Sequence, residues 1–162
     1  MLLSHEIDIQ IQTKKWLEVG VNWAESCSRI VIAVLENQWV GSVPAEISVV
    51  LSEDVFVKQL NLKYRGINKP TNVLSFPTYD PVTDCATLHH LGDVVLAYET
   101  CRGEIKEGSN RVSSFTSHIS HLIVHGVLHL LGFDHRKDED AKKMEKLEIE
   151  ILQSLGIDNP YA

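Results

Sequence analysis

The chain has 162 residues, 44% of them hydrophobic and 23% charged, an ordinary balance for a soluble globular protein and enough length for one domain, residues 1–162, whose core needs no disulfide staple. A net charge of −7 argues against a general nucleic-acid binder. There is no basic flank followed by an apolar run to signal secretion, no stretch nears the roughly 18 apolar residues of a membrane span, and Cys27, Cys85 and Cys101 form no CxxC pair, so they read as free thiols and the cytoplasm is the expected compartment.

Glu6 to Gln12 alternates polar and apolar residues, as a half-buried strand does. A long helical pattern runs from Lys14 to Asn37, with Gly20 able to bend or divide it. Ala45 to Leu51 reads as a second strand after Pro44. Ser52-Glu53-Asp54 then starts a short helix from Val55 to Tyr64, closed by Gly66. Asn72 to Phe76, entered through Pro70 and left through Pro77, is a third strand. Tyr79 to His90 has no periodicity and reads as a loop. Leu91 to Tyr98 is a fourth strand, and the polar Gly103 to Asn110 another loop. Ser113 to Leu131 is apolar on every side and predicts a buried helix ended by Gly132; Asp138 to Leu155 is a final amphipathic helix. The order predicts a compact α+β domain with a small four-stranded mixed sheet packed with helices.

Charge is unevenly spread. Val55 to Tyr79 holds no acidic residue but contains Lys58, Lys63, Arg65 and Lys69, whereas Arg136 to Glu150 mixes five bases with six acids like a solvated helix face. The basic window is a chance fluctuation or a place for an anion.

The run HGVLHLLGFDH, His125 to His135, is the strongest chemical signal. An offset of four puts His125 and His129 one turn apart on one helix face. Gly132 is suited to a left-handed helix end that turns the chain back and returns His135 to the other two. Three imidazoles with an open fourth position describe a catalytic metal site at the C-terminal end of the buried helix, with zinc, one per chain, the first choice of ion. His118 and His121 lie on the same stripe, within about 80 degrees of arc from His118 to His129. His121 can orient a ligand or touch substrate, or simply pack between helices, and His118 lies nearer the surface. Asp134 is a candidate acceptor for an imidazole N–H, or a plain loop carboxylate.

The same spacing occurs in HExxHxxGxxH metallopeptidases, where a glutamate follows the first histidine and acts as the general base. Gly126 stands there in this chain. The metal geometry is present and the peptidase base is not; its absence forfeits typically about 10²–10⁴-fold.

Taken with YRGINKPTNVLSFP at Tyr64 to Pro77 and LGDVVL at Leu91 to Leu96, the histidine run closely resembles the YbeY family of bacterial rRNA maturation endoribonucleases. The resemblance covers most of the chain, weakens in the first forty residues, and is least in the Tyr79 to His90 loop. It implies zinc-dependent cleavage of single-stranded RNA, maturation of the 3′ end of 16S rRNA, ribosome quality control, and the small ribosomal subunit as partner. It also implies His125, His129 and His135 as metal ligands and Arg65 as the arginine linked to activity.

The chemistry is consistent, because a Lewis-acid metal and a guanidinium fork both stabilise the charge that develops on a phosphoryl group. Lys63, Lys69, Asn72 and Ser75 are candidate substrate contacts; turn and strand-edge duties explain Thr71, Asn72 and Ser75 nearly as well. Two other readings stay open: a metal-dependent hydrolase of peptides or small molecules, and a non-enzymatic ribosome-assembly factor with a structural metal.

Overall fold

The computed structural model describes residues 3–78, 87–106 and 111–162, with residue 111 described by its backbone alone. Four strands, β1 (Glu6–Ile11), β2 (Ala45–Ser52), β3 (Val73–Pro77) and β4 (His89–Ala97), form one sheet in the order β1-β2-β4-β3. β1, β2 and β4 run parallel, and β3 pairs antiparallel with β4 at the edge. The expected mixed sheet is therefore present. β1 alternates exposed and half-buried positions, with Ile7, Ile9 and Ile11 against the core. β2 is buried along most of its length because helices cover both faces of a central parallel strand.

Five helices complete the fold: α1 (Trp23–Gln38), α2 (Asp54–Arg65), α3 (Tyr98–Gly103), α4 (Arg111–Leu130) and α5 (Asp138–Ser154). The single helix expected from Lys14 is divided at Gly20, whose φ of 82° closes a 3-10 turn at Leu17–Val19. That backbone cannot continue a right-handed helix, and α1 starts afresh behind Asn22, whose side chain accepts from the Glu25 N–H at 3.3 Å. The pause drops Trp16 and Trp23 into the core. Their indoles donate to Ser52 O at 2.8 Å and Trp16 O at 2.7 Å, and Trp16 stacks on Phe115 of α4 with centroids 5.6 Å apart.

The boundaries around β4 also differ from the sequence pattern. His89 and His90 belong to the strand rather than to a loop, and Tyr98 opens α3. α3 needs no connecting loop because Asp54 and Glu99 cap one another's helices: Asp54 N–H donates to Glu99 at 2.9 Å, and Thr100 N–H to Asp54 at 3.0 Å. The rest of the expected Tyr79–His90 loop, through residue 86, and residues 107–110 lie outside the described residues.

α4 is the central helix, flanked by α1, α3, α5, β3 and β4. Phe115, Ile119, Ile123, Val124, Val127 and Leu128 are all buried, as its all-round apolar pattern requires. Gly126 lets it approach the sheet, since a Cβ there would lie 2.7 Å from Val94 Cγ1 and 3.1 Å from Ser75 Oγ. The missing glutamate thus has a packing reason: this position faces the sheet, not the solvent. Cys27 and Cys101 are free and buried, and burial pushes the Cys27 thiol up to about 12. Among the described residues no helix is long and apolar enough to cross a membrane.

Candidate metal centre

The end of α4 builds the site. Gly132 adopts φ 96°, and Phe133 N–H reaches back to Leu128 O at 3.0 Å while Gly132 N–H reaches His129 O at 3.0 Å, a Schellman closure that reverses the chain. His135 is thereby returned to the helix, its ring centroid 5.5 Å from that of His125 and 5.1 Å from that of His129. One nitrogen from each of His125, His129 and His135 lies within 4.8 Å of the others.

The hydrogen bonds fix which nitrogens face inward. His129 Nδ1 lies 2.9 Å from Phe133 O; a carbonyl only accepts, so Nδ1 carries the proton and Nε2 a lone pair. His125 Nδ1 lies 2.6 Å from the Glu148 carboxylate, which selects the same tautomer. The two Nε2 atoms are then 3.0 Å apart. Two lone pairs facing each other at that distance repel unless a cation lies between them, so this donor set fits a metal ion. Burial, together with the neighbouring His125 and His135, holds His129 below the ordinary histidine value, which keeps it neutral as a ligand must be.

Glu148, on α5, is the residue sequence reasoning missed. It is 1% exposed and surrounded by donors: His125 at one oxygen, His121 Nε2 at 2.8 Å and the Tyr161 hydroxyl at the other. Burial alone would raise its pKa, yet the bonds from His121, His125 and Tyr161 prevail and hold it at about 2. Its signal was a carboxylate on the apolar stripe Met144, Ile151 and Leu152 of an amphipathic helix. His121 thus serves the Glu148 cluster and does not line the cleft. His118 pairs with Glu104 at 3.0 Å.

Asp134 binds no imidazole. Its Oδ1 accepts from the backbone N–H of His135 at 2.6 Å and of Arg136 at 3.2 Å, so it shapes the loop that carries His135. Of its two readings the loop carboxylate holds, and the imidazole acceptors are Glu148 and the Phe133 carbonyl.

The three histidines open into a cleft of about 500 Å³ whose far wall is β3 with Arg65. Arg65, at the last position of α2, donates from Nη2 to Ser75 O at 3.0 Å, and Ser75 Oγ donates to Gly126 O at 2.9 Å. That chain of bonds ties the guanidinium to the histidine helix and leaves its remaining N–H groups uncommitted to Ser75. Asn72 lines the cleft too, but its amide donates to Glu104 at 3.2 Å. Lys63 and Lys69 are exposed and outside the cleft lining, and Thr71 is half-buried outside it. Arg136, which the sequence reading passed over, lines the cleft with an almost fully exposed side chain.

Sequence comparison with known proteins assigns the chain to a family. The family model described as Endoribonuclease YbeY matches residues 8–156. A protein of Paramagnetospirillum magneticum named Endoribonuclease YbeY is 42% identical over 165 residues, covering 99% of this chain and 98% of its own. Proteins of the same name from Methylocella silvestris and Rhodopseudomonas palustris are 43% and 49% identical, covering 96% and 73% of this chain and 85% and 70% of theirs. The match spans both the α2–β3 segment and the histidine helix, and the chain belongs to the endoribonuclease YbeY family.

Proposed function

We propose that this protein is a metal-dependent endoribonuclease that cuts single-stranded RNA. In this reading His125, His129 and His135 hold one zinc ion and Arg65 grips the phosphate under attack. The carrying observation is the pair of inward-facing Nε2 lone pairs 3.0 Å apart, opening into a cleft that also contains Arg65. Three imidazoles with no fourth protein donor grouped with them among the described residues support zinc as the first choice of ion. The names of the relatives support RNA as substrate.

Bound zinc supplies Lewis acidity toward a phosphoryl oxygen or a water. The chain's own residues do the rest. Glu148 and the Phe133 carbonyl lock the imidazoles in the donating tautomer, as acceptors behind metal-binding histidines do. Arg65, anchored through one nitrogen to Ser75 O, offers its remaining donors to the phosphodiester, where a planar fork matches two oxygens. No carboxylate occupies the general-base position of a peptidase, because Gly126 is packed against Val94. The biological setting that fits is 3′-end maturation of 16S rRNA and ribosome quality control on the small ribosomal subunit, in the cytoplasm.

The test is cleavage of a defined single-stranded RNA by metal-quantified protein beside His129→Ala and Arg65→Ala. Wild type should carry one zinc per chain and cut, and His129→Ala should do neither. Arg65→Ala should keep its metal and lose about 10²–10³-fold in rate, the scale of one lost transition-state donor. Equal cutting by wild type and His129→Ala sinks the reading.

A further inference from the structure

β3 is an edge strand, and Arg65 lies across it. On its α4 side is the histidine cleft; on its α2 side lies a second groove of about 780 Å³, floored by the sheet and walled by α2. Arg65, Ser75 and Pro77 line both. The second groove is aromatic at the ridge: the Tyr64 and Phe76 ring centroids lie 5.4 Å apart, Tyr64 is 59% exposed, and Arg65 Cζ lies 5.9 Å from the Phe76 centroid. Its lining mixes the apolar Val50, Val95, Phe56 and Leu60 with the polar Gln10, Gln12 and Asp93.

That charge pattern selects an occupant. The Asp93 carboxylate in the lining repels phosphate, and Arg65 at the ridge is the one cation among the described lining residues. The exposed Tyr64 ring, with half-buried Phe76 edge-on to it, offers a place for a flat apolar surface; the Asp93 carboxylate can accept from N–H groups, and the Gln10 and Gln12 amides can pair with both N–H and C=O groups. A nucleotide meets all of these at once if its phosphate stays at Arg65 and its base turns into the groove. Resting on the ribonuclease reading above, we infer that the groove between α2 and the sheet is a subsite for an unpaired nucleobase of the RNA strand, stacked on Tyr64 with Phe76 at its edge, beside the phosphate held by Arg65.

The experiment uses metal-loaded protein and a short single-stranded RNA, in a series carrying one 2-aminopurine or one abasic nucleotide at each position around the cut. At one position 2-aminopurine fluorescence should be quenched on binding wild type and not on binding Tyr64→Ala, a change at an exposed side chain. Tyr64→Ala should bind the intact RNA about tenfold more weakly, the size of one lost base–aromatic stack. With the abasic nucleotide at that position the variant's deficit should vanish, a non-additivity that a purely structural role does not produce. Phe76→Leu repeats the measurement from the other ring. Binding without a quench at any position, deficits that simply add, or no binding at all overturns the subsite. Quenching without cleavage upholds the subsite and removes the nuclease reading; cleavage without quenching does the reverse.

Discussion

Glu148 shows how one residue sets the properties of others. A carboxylate with 1% exposure is tolerated only when its oxygens are answered, and here His121, His125 and Tyr161 answer them. The replacement Glu148→Gln keeps the shape and removes the charge that draws the His125 proton to Nδ1. Metal affinity, measured by competition with a chromophoric chelator, should fall about 10–100-fold, as for other residues that orient metal-binding histidines. An unchanged affinity would make Glu148 a packing residue alone. Its role was hard to read in the sequence because the partner histidines are 27 and 23 residues away; the only local trace was a charge on an apolar stripe. Asp134 stayed ambiguous for the opposite reason. Adjacency in sequence placed it beside His135, but a short side chain there reaches its own loop's N–H groups first.

Among the elements, α4 was the most legible, because helical spacing and a glycine stop are local rules and both histidine register and chain reversal follow from them. β1 was legible by alternation and β2 as an apolar-rich segment after Pro44. The division at Gly20 and the six-residue α3 were less so, since one depends on burying Trp16 and the other on capping by residues more than forty positions away. Lys63 and Lys69 were visible as charge, but nothing local says that α2 and its following loop direct them away from the cleft. The tightest contact between elements is at Gly126. A methyl there presses on the rigid, fully buried Val94, and Gly126→Ala should cost about 1–3 kcal/mol by overpacking, even though alanine favours helix. Thermal unfolding should therefore move down by about 2–12 °C; a variant as stable as wild type would show that helix and sheet can part freely there.

On the scale of the whole molecule, a net charge of −7 surrounds a cleft and window that hold few bases. Arg65 and Arg136 line the cleft, and Lys63 and Lys69 lie outside it on the basic segment; even if all four met phosphate, RNA binding should weaken with salt by a slope of about −3 at most, at roughly −0.7 per phosphate on a single strand. Affinity measured from low to high salt checks this, and a much steeper slope would place the strand on a different face. A slope that shallow would fit the ribosome-bound role proposed above, in which something larger than this chain finds the substrate. The three tryptophans add a practical consequence. Trp16 and Trp23 are sealed between α1, the sheet and α4, Trp39 sits beside His89, and none borders the histidine cleft. The molecule therefore carries its own optical gauge of folding, blind to the cleft: a variant that loses metal or RNA yet keeps the indole emission of the wild type has lost its chemistry and not its architecture.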